Sequence, residues 1–94
     1  MNYSKHAKIR AQQRGISTEV ADFIINFGKT VNTHADKKSF IPNKLFNKLM
    51  LDKEHIDFLK KNDKQIKSTA VIWNKKDKTV ITTFAITKRN NWSN

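Results

Sequence analysis

The hydrophobic residues of this chain change period partway along it. Between Ser17 and Gly28, Val20, Phe23, Ile24 and Phe27 recur at i, i+3, i+4 and i+7, which gathers apolar side chains on one face of an α-helix. In the last third, "KTVITTFAITK" sets Val80, Thr82, Phe84 and Ile86 against Thr79, Ile81, Thr83, Ala85 and Thr87, the period of two that marks a strand. Helices first and strands later, with no βαβ alternation, predict an α+β fold in which N-terminal helices pack on an antiparallel β-sheet.

Local signals divide the chain further. Ser4 is a natural cap for a first helix running to about Gln13 or Arg14, and Gly15 supplies the residue that accepts positive φ on the way out. Ser17 caps the second helix, and Gly28 closes it. "KTVNTHADKKSFIP" reads as a short hairpin ending at Pro42. From Asn43 to Asn62 the spacing of Leu45, Phe46, Leu49, Met50, Ile56 and Leu59 is helical, with a break expected near Leu51 where Asp52 interrupts the stripe. Two strands, "QIKSTAVIW" and "KTVITTFAITK", joined by the polar "NKKDK", complete the pattern. At 94 residues, with no repeat or linker, residues 1–94 are expected to form a single domain.

Composition narrows the chemistry. The absence of cysteine excludes disulfides, thiol nucleophiles and cysteine-ligated zinc. No apolar run is long enough for a signal peptide or a membrane span, so a cytoplasmic location with no membrane association is expected. The two glycines build no phosphate-cradling loop, and no Gly-x-Ser-x-Gly is present. His6, His34 and His55 lack ligand spacing, so neither a metal nor another cofactor is expected. The formal charge of +11 is spread over every third of the chain. Such a field draws in polyanions, with nucleic acid first and an acidic protein second.

One segment concentrates that charge usefully. On the first helix, His6, Arg10 and Arg14 fall at i, i+4 and i+8, on one ridge, with Gln13 beside it. Cations in such a row repel one another unless an anion lies against them. Arg grips phosphate through two parallel hydrogen bonds, and imidazole passes protons near neutral pH. Metal-free RNA cleavage needs a base for the 2′-hydroxyl, an acid for the leaving oxygen and cations for the charge on phosphorus. His6 as acid or base and Arg10 as clamp would meet part of that need. A solvated helix face, with Arg10 paired to Glu19 or Asp22, is the competing reading.

The segment "HAKIRAQQRGIS" resembles the opening His-Ala-x-x-Arg-x-x-x-Arg-Gly-Ile-Ser motif of a family of small bacterial domains that long carried only a domain-of-unknown-function label. That family is similar to the barnase, EndoU and RelE-like fold group. The resemblance implies a RelE- or barnase-like α+β fold and a toxin-like ribonuclease, or a derivative that has lost catalysis. It places the motif His on His6, the two Arg on Arg10 and Arg14, and the Gly on Gly15. Family members tend to show Val-Thr-x-Tyr in the final strand. Here "VITTFAITK" offers Thr82 or Thr83, but Phe84 stands where a Tyr would be expected.

The expected site therefore comprises His6, Arg10, Arg14 and Thr83 for catalysis, with Gln13, Thr87, Lys88 and Arg89 binding nucleic acid. Thr79, Thr83 and Thr87 would share one strand face lining a groove. Trp73 is expected in the core, and Trp92, among basic residues, either stacks on a base or packs on the domain. The resulting expectation is a toxin-type, metal-independent endoribonuclease acting on RNA. The alternatives are a non-catalytic nucleic-acid-binding module of the same fold, and a basic protein docking an acidic antitoxin-like partner.

Overall fold

The computed structural model describes residues 2–86, so Thr87, Lys88, Arg89 and Trp92 lie outside the described residues. The elements in chain order are β1 (Asn2–Tyr3), α1 (Lys5–Gln13), α2 (Thr18–Phe27), β2 (Lys29–Asn32), β3 (Lys37–Phe40), α3 (Asn43–Leu49), α4 (Ile56–Lys61), α5 (Asp63–Ser68), β4 (Thr69–Trp73) and β5 (Thr79–Ala85). The fold is α+β, as the change of period predicts. None of the described helices is long and apolar enough to cross a membrane.

Both N-terminal helices begin and end where their caps place them. Ser4 Oγ accepts from the Ala7 amide at 3.0 Å, and Ser17 Oγ accepts from the Val20 amide at 3.2 Å. Helix α1 ends in a Schellman motif: the Ile16 amide reaches the Ala11 carbonyl at 2.8 Å and the Gly15 amide reaches Gln12 at 3.2 Å. Gly15 takes φ +66°, the left-handed turn this motif requires. Buried Ile16 and Ala11 supply its hydrophobic contact. The turn reverses the chain, so α2 can lay Val20, Ala21, Phe23 and Ile24 into the core. Phe27, the last residue of the stripe, stays partly exposed.

Gly28 ends α2 for a different reason. Its φ is −82°, open to any residue, but a Cβ there would lie 2.4 Å from the Ile24 carbonyl oxygen and 2.7 Å from that of Phe40. Close packing of helix on strand, not left-handed backbone, demands glycine here.

The sheet has the order β1-β5-β4-β3-β2. Strands β2 to β5 pair antiparallel, but β1 pairs parallel to β5, Asn2 opposite Thr79 and Tyr3 opposite Val80. The sheet is therefore mixed, not purely antiparallel, because two residues ahead of a helix cap carry no alternation from which a strand can be read.

Two further differences have physical causes. "QIKS" is helical, not extended: α5 begins directly after Asn62, which also ends α4, and turns Ile66 into the core. Lys64, Gln65 and Lys67 are good helix formers, and the β-branched run begins only at Thr69. In the last hairpin a register shift pairs Trp73 with Val80 while Ile72 pairs with Thr82, leaving Ile81 as the extra residue of a bulge. The simple alternation therefore fails at Ile81, and Thr79 and Thr83 do not share a face.

The main core joins Ala7, Ala11, Val20, Phe23, Ile24, Ile41, Phe46, Leu59, Ile66, Val71 and Val80 from helices and sheet. Trp73 packs against it, as expected of a core aromatic, and its Nε1–H donates to buried Ser39 Oγ at 2.9 Å. A smaller cluster of Phe40, Ala70 and Ile86 lies on the opposite sheet face.

Candidate nucleic-acid interface

Helix α1 runs along the edge of β5 beyond the two residues that β1 covers. The Ser4 amide donates to the Val80 carbonyl at 3.0 Å and Ser4 Oγ to that of Ile81 at 3.2 Å. At the other end of the helix, Arg14 Nη1 donates to the Thr83 carbonyl. Main-chain acceptors of the edge strand are thus used by the helix. Ala7 and Ala11 form its buried face, and their small side chains let α1 lie close to the strand.

That orientation turns the cationic row outward. His6, Arg10, Gln13 and Arg14 are all exposed. Successive members of the His6–Arg10–Arg14 row stand one helical turn apart, with Cβ atoms about 5–6 Å from each other. No acidic residue occurs within α1. Among the described residues, the side chains of His6 and Arg10 make no hydrogen bond or ion pair, and Arg14 commits one N–H of its guanidinium to the Thr83 carbonyl.

The competing reading offered Glu19 or Asp22 as partners of Arg10. Asp22 instead accepts a 2.7 Å hydrogen bond from the Tyr3 hydroxyl, which also lies 3.0 Å from the Thr18 carbonyl oxygen. Burial first, then the hydrogen bond and charge of Asp22, push the Tyr3 phenol pKa well above its ordinary value. Among the described residues, neither Glu19 nor Asp22 forms an ion pair with Arg10.

Thr83 belongs to a different environment from the other expected catalytic residues. The residue is 1% exposed, and its hydroxyl has no hydrogen-bond partner among the described residues. Only its carbonyl oxygen meets the ridge, through Arg14. The structure therefore brings His6, Arg10, Gln13 and Arg14 together on one surface and separates the Thr83 hydroxyl from it.

Beside Arg14 the surface opens into a cleft of about 440 Å³ between the end of α1 and α5, bordered also by Lys64, Gln65 and Ser68. These three were missed in the sequence, where the strand "QIKSTAVIW" is expected to begin at Gln65 and Lys64 falls just before it. The available signal was the spacing of Lys60, Lys64 and Lys67, which suits a helix better than an alternating strand.

The other histidines lie elsewhere. His34 is exposed in the β2–β3 turn. His55 packs edge-on to Phe23 at 5.4 Å between ring centroids and has Nε2 3.8 Å from Asp52. Asp52, Glu54 and His55 offer ligand atoms within 4.8 Å of one another, the group among the described residues close enough to hold a metal ion. They lie on the α3–α4 connection rather than on the ridge.

Compared with known proteins, the chain matches no family model, no curated protein and no solved structure.

Proposed function

We propose that this protein binds RNA through the His6–Arg10–Arg14 ridge and cuts it as a toxin-type, metal-independent endoribonuclease on a RelE- or barnase-like variant of the α+β plan. The observation that carries the reading is the outward row of Arg10 and Arg14 with His6 on α1, whose side chains meet no carboxylate among the described residues: neighbouring guanidinium groups gain nothing from each other until an anion lies against them. Arg10 and the free N–H groups of Arg14 hold the non-bridging phosphate oxygens and stabilise the charge that grows on phosphorus.

The 2′-oxygen attacks phosphorus and the bond to the 5′-oxygen breaks. His6 performs one proton transfer, taking the 2′-hydroxyl proton or protonating the leaving 5′-oxygen, and water performs the other. The resemblance of "HAKIRAQQRGIS" to the toxin-fold family motif supports the same assignment.

Purified protein incubated with RNA in the presence of a chelator tests the proposal. Cleavage is expected, falling about 10²-fold or more in His6→Ala. Equal cutting by the variant refutes the role of His6. RNA that is bound but left intact selects a second reading, the non-catalytic binding module. The buried Thr83 hydroxyl favours that reading, because it leaves His6 as the one evident proton carrier on the ridge.

A further inference from the structure

The cleft beside Arg14 offers chemistry that the ridge lacks. Its volume of about 440 Å³ falls within the range of sites that enclose small ligands. Arg14 and Lys64 stand on its rim, while Ile16 and Ala85 supply apolar wall. A bare phosphate has no use for that wall, whereas the flat face of a nucleobase does.

Two polar groups on α5 are already oriented. Gln65 Oε1 accepts from the Ser17 amide at 3.2 Å, which leaves the Nε2 amide hydrogens as the end free to donate. Ser68 Oγ donates to the Lys64 carbonyl, which leaves its lone pairs free to accept. One helical turn apart, they present a donor and an acceptor to the same cleft. Base edges carry donors and acceptors in such close succession.

Lys64 also borders a second hollow of about 510 Å³ that includes Lys60 and Lys61. Cations therefore continue from the ridge past the cleft and along α4 and α5.

We propose that this cleft is a nucleobase subsite, which takes one unpaired base of an RNA strand whose phosphates lie on Arg14 and Lys64. The inference rests on the ridge reading and deepens it: the substrate is single-stranded, because a base in a duplex enters a cleft only after its pairing and stacking are broken, a cost that an unpaired base avoids. Gln65 and Ser68 read the base edge, Ile16 and Ala85 contact its face, and Lys60 and Lys61 receive the adjoining backbone.

Isotope-labelled full-length protein tests this by NMR, following the Ile16 and Ala85 methyl groups, the Gln65 side-chain amide and the α1 signals. The probes are the four ribonucleoside 5′-monophosphates, inorganic phosphate, and a single-stranded 2′-O-methyl hexaribonucleotide that cannot be cut through its 2′-oxygen. The hexamer and at least one nucleotide are expected to shift the cleft methyls and the Gln65 amide, and phosphate alone to leave the methyls unmoved. Gln65→Leu is expected to weaken hexamer binding about tenfold. Lys64→Glu, on an exposed position, is expected to weaken it at least as much while the dispersed methyl spectrum of the free protein away from the cleft stays in place.

Response of the α1 signals with silent cleft signals overturns the subsite and leaves the ridge standing. Silence at both removes both. Cleft shifts reproduced by phosphate alone overturn the base assignment.

Discussion

The Tyr3 hydroxyl donates a 2.7 Å hydrogen bond to the Asp22 carboxylate, fastening β1 to α2 across the start of the chain. Tyr3 is the sole tyrosine, so its ionisation can be followed by phenolate absorbance without interference. Burial and Asp22 raise its pKa in the folded state, so the folded protein holds this proton more tightly than the unfolded chain does. The linked stability is fully present below the unfolded value near pH 10 and is lost as pH rises from there through the folded value. Denaturant melts at increasing alkaline pH should show this loss in the wild type and a smaller one in Tyr3→Phe. At neutral pH that variant is expected to lose about 1 kcal/mol, since the bond is only half-buried.

The buried Thr83 hydroxyl, without a partner among the described residues, makes the opposite prediction for a residue that its position in the sequence marks as catalytic. Thr83→Val replaces a desolvated hydroxyl with a methyl group of similar size. It should leave stability unchanged or raise it by about 1 kcal/mol, and leave RNA cleavage intact. A large loss of cleavage with unchanged melting would return Thr83 to the site.

The two glycines should respond differently to alanine. Gly15→Ala meets open space but must keep φ +66°, a cost of about 1–2 kcal/mol. Gly28→Ala has permissive φ but drives a Cβ into two carbonyl oxygens, so helix and strand must move apart. Its loss in chemical denaturation should be the greater, about 3 kcal/mol or more.

Binding to RNA should depend on salt in a way that identifies the ridge. Arg10→Ala is expected to weaken binding and to reduce the slope of log K against log salt by about 0.7, the value for one phosphate contact on a single strand. Arg10 lacks a partner among the described residues, so the melting temperature should hardly change. A full wild-type slope in this variant would place the phosphate elsewhere.

Local chemistry settled much of this protein before any long-range contact is considered. Ser4, Gly15 and Ser17 cap two helices, and the Val20–Phe27 stripe orients the second, because caps and amphipathic period act within a few residues of chain. The hairpin of β2 and β3 and the break after α3 were legible for the same reason. So was the placing of His6, Arg10 and Arg14 on one helix face, which follows from 3.6 residues per turn alone.

Tertiary structure decided whether that face is open. Ala7 and Ala11 against β5, and Asp22 engaged by Tyr3, leave the cations outward, and residues far apart in sequence set both contacts. It also joined β1 to β5, moved Thr79 and Thr83 to different faces through the bulge at Ile81, and sank the Thr83 hydroxyl. The cleft between Arg14 and Gln65 belongs to the same class. Strand pairing and helix docking are non-local choices, so the spacing of neighbours along the chain, which suits a helix at Lys60, Lys64 and Lys67, does not say which surfaces meet.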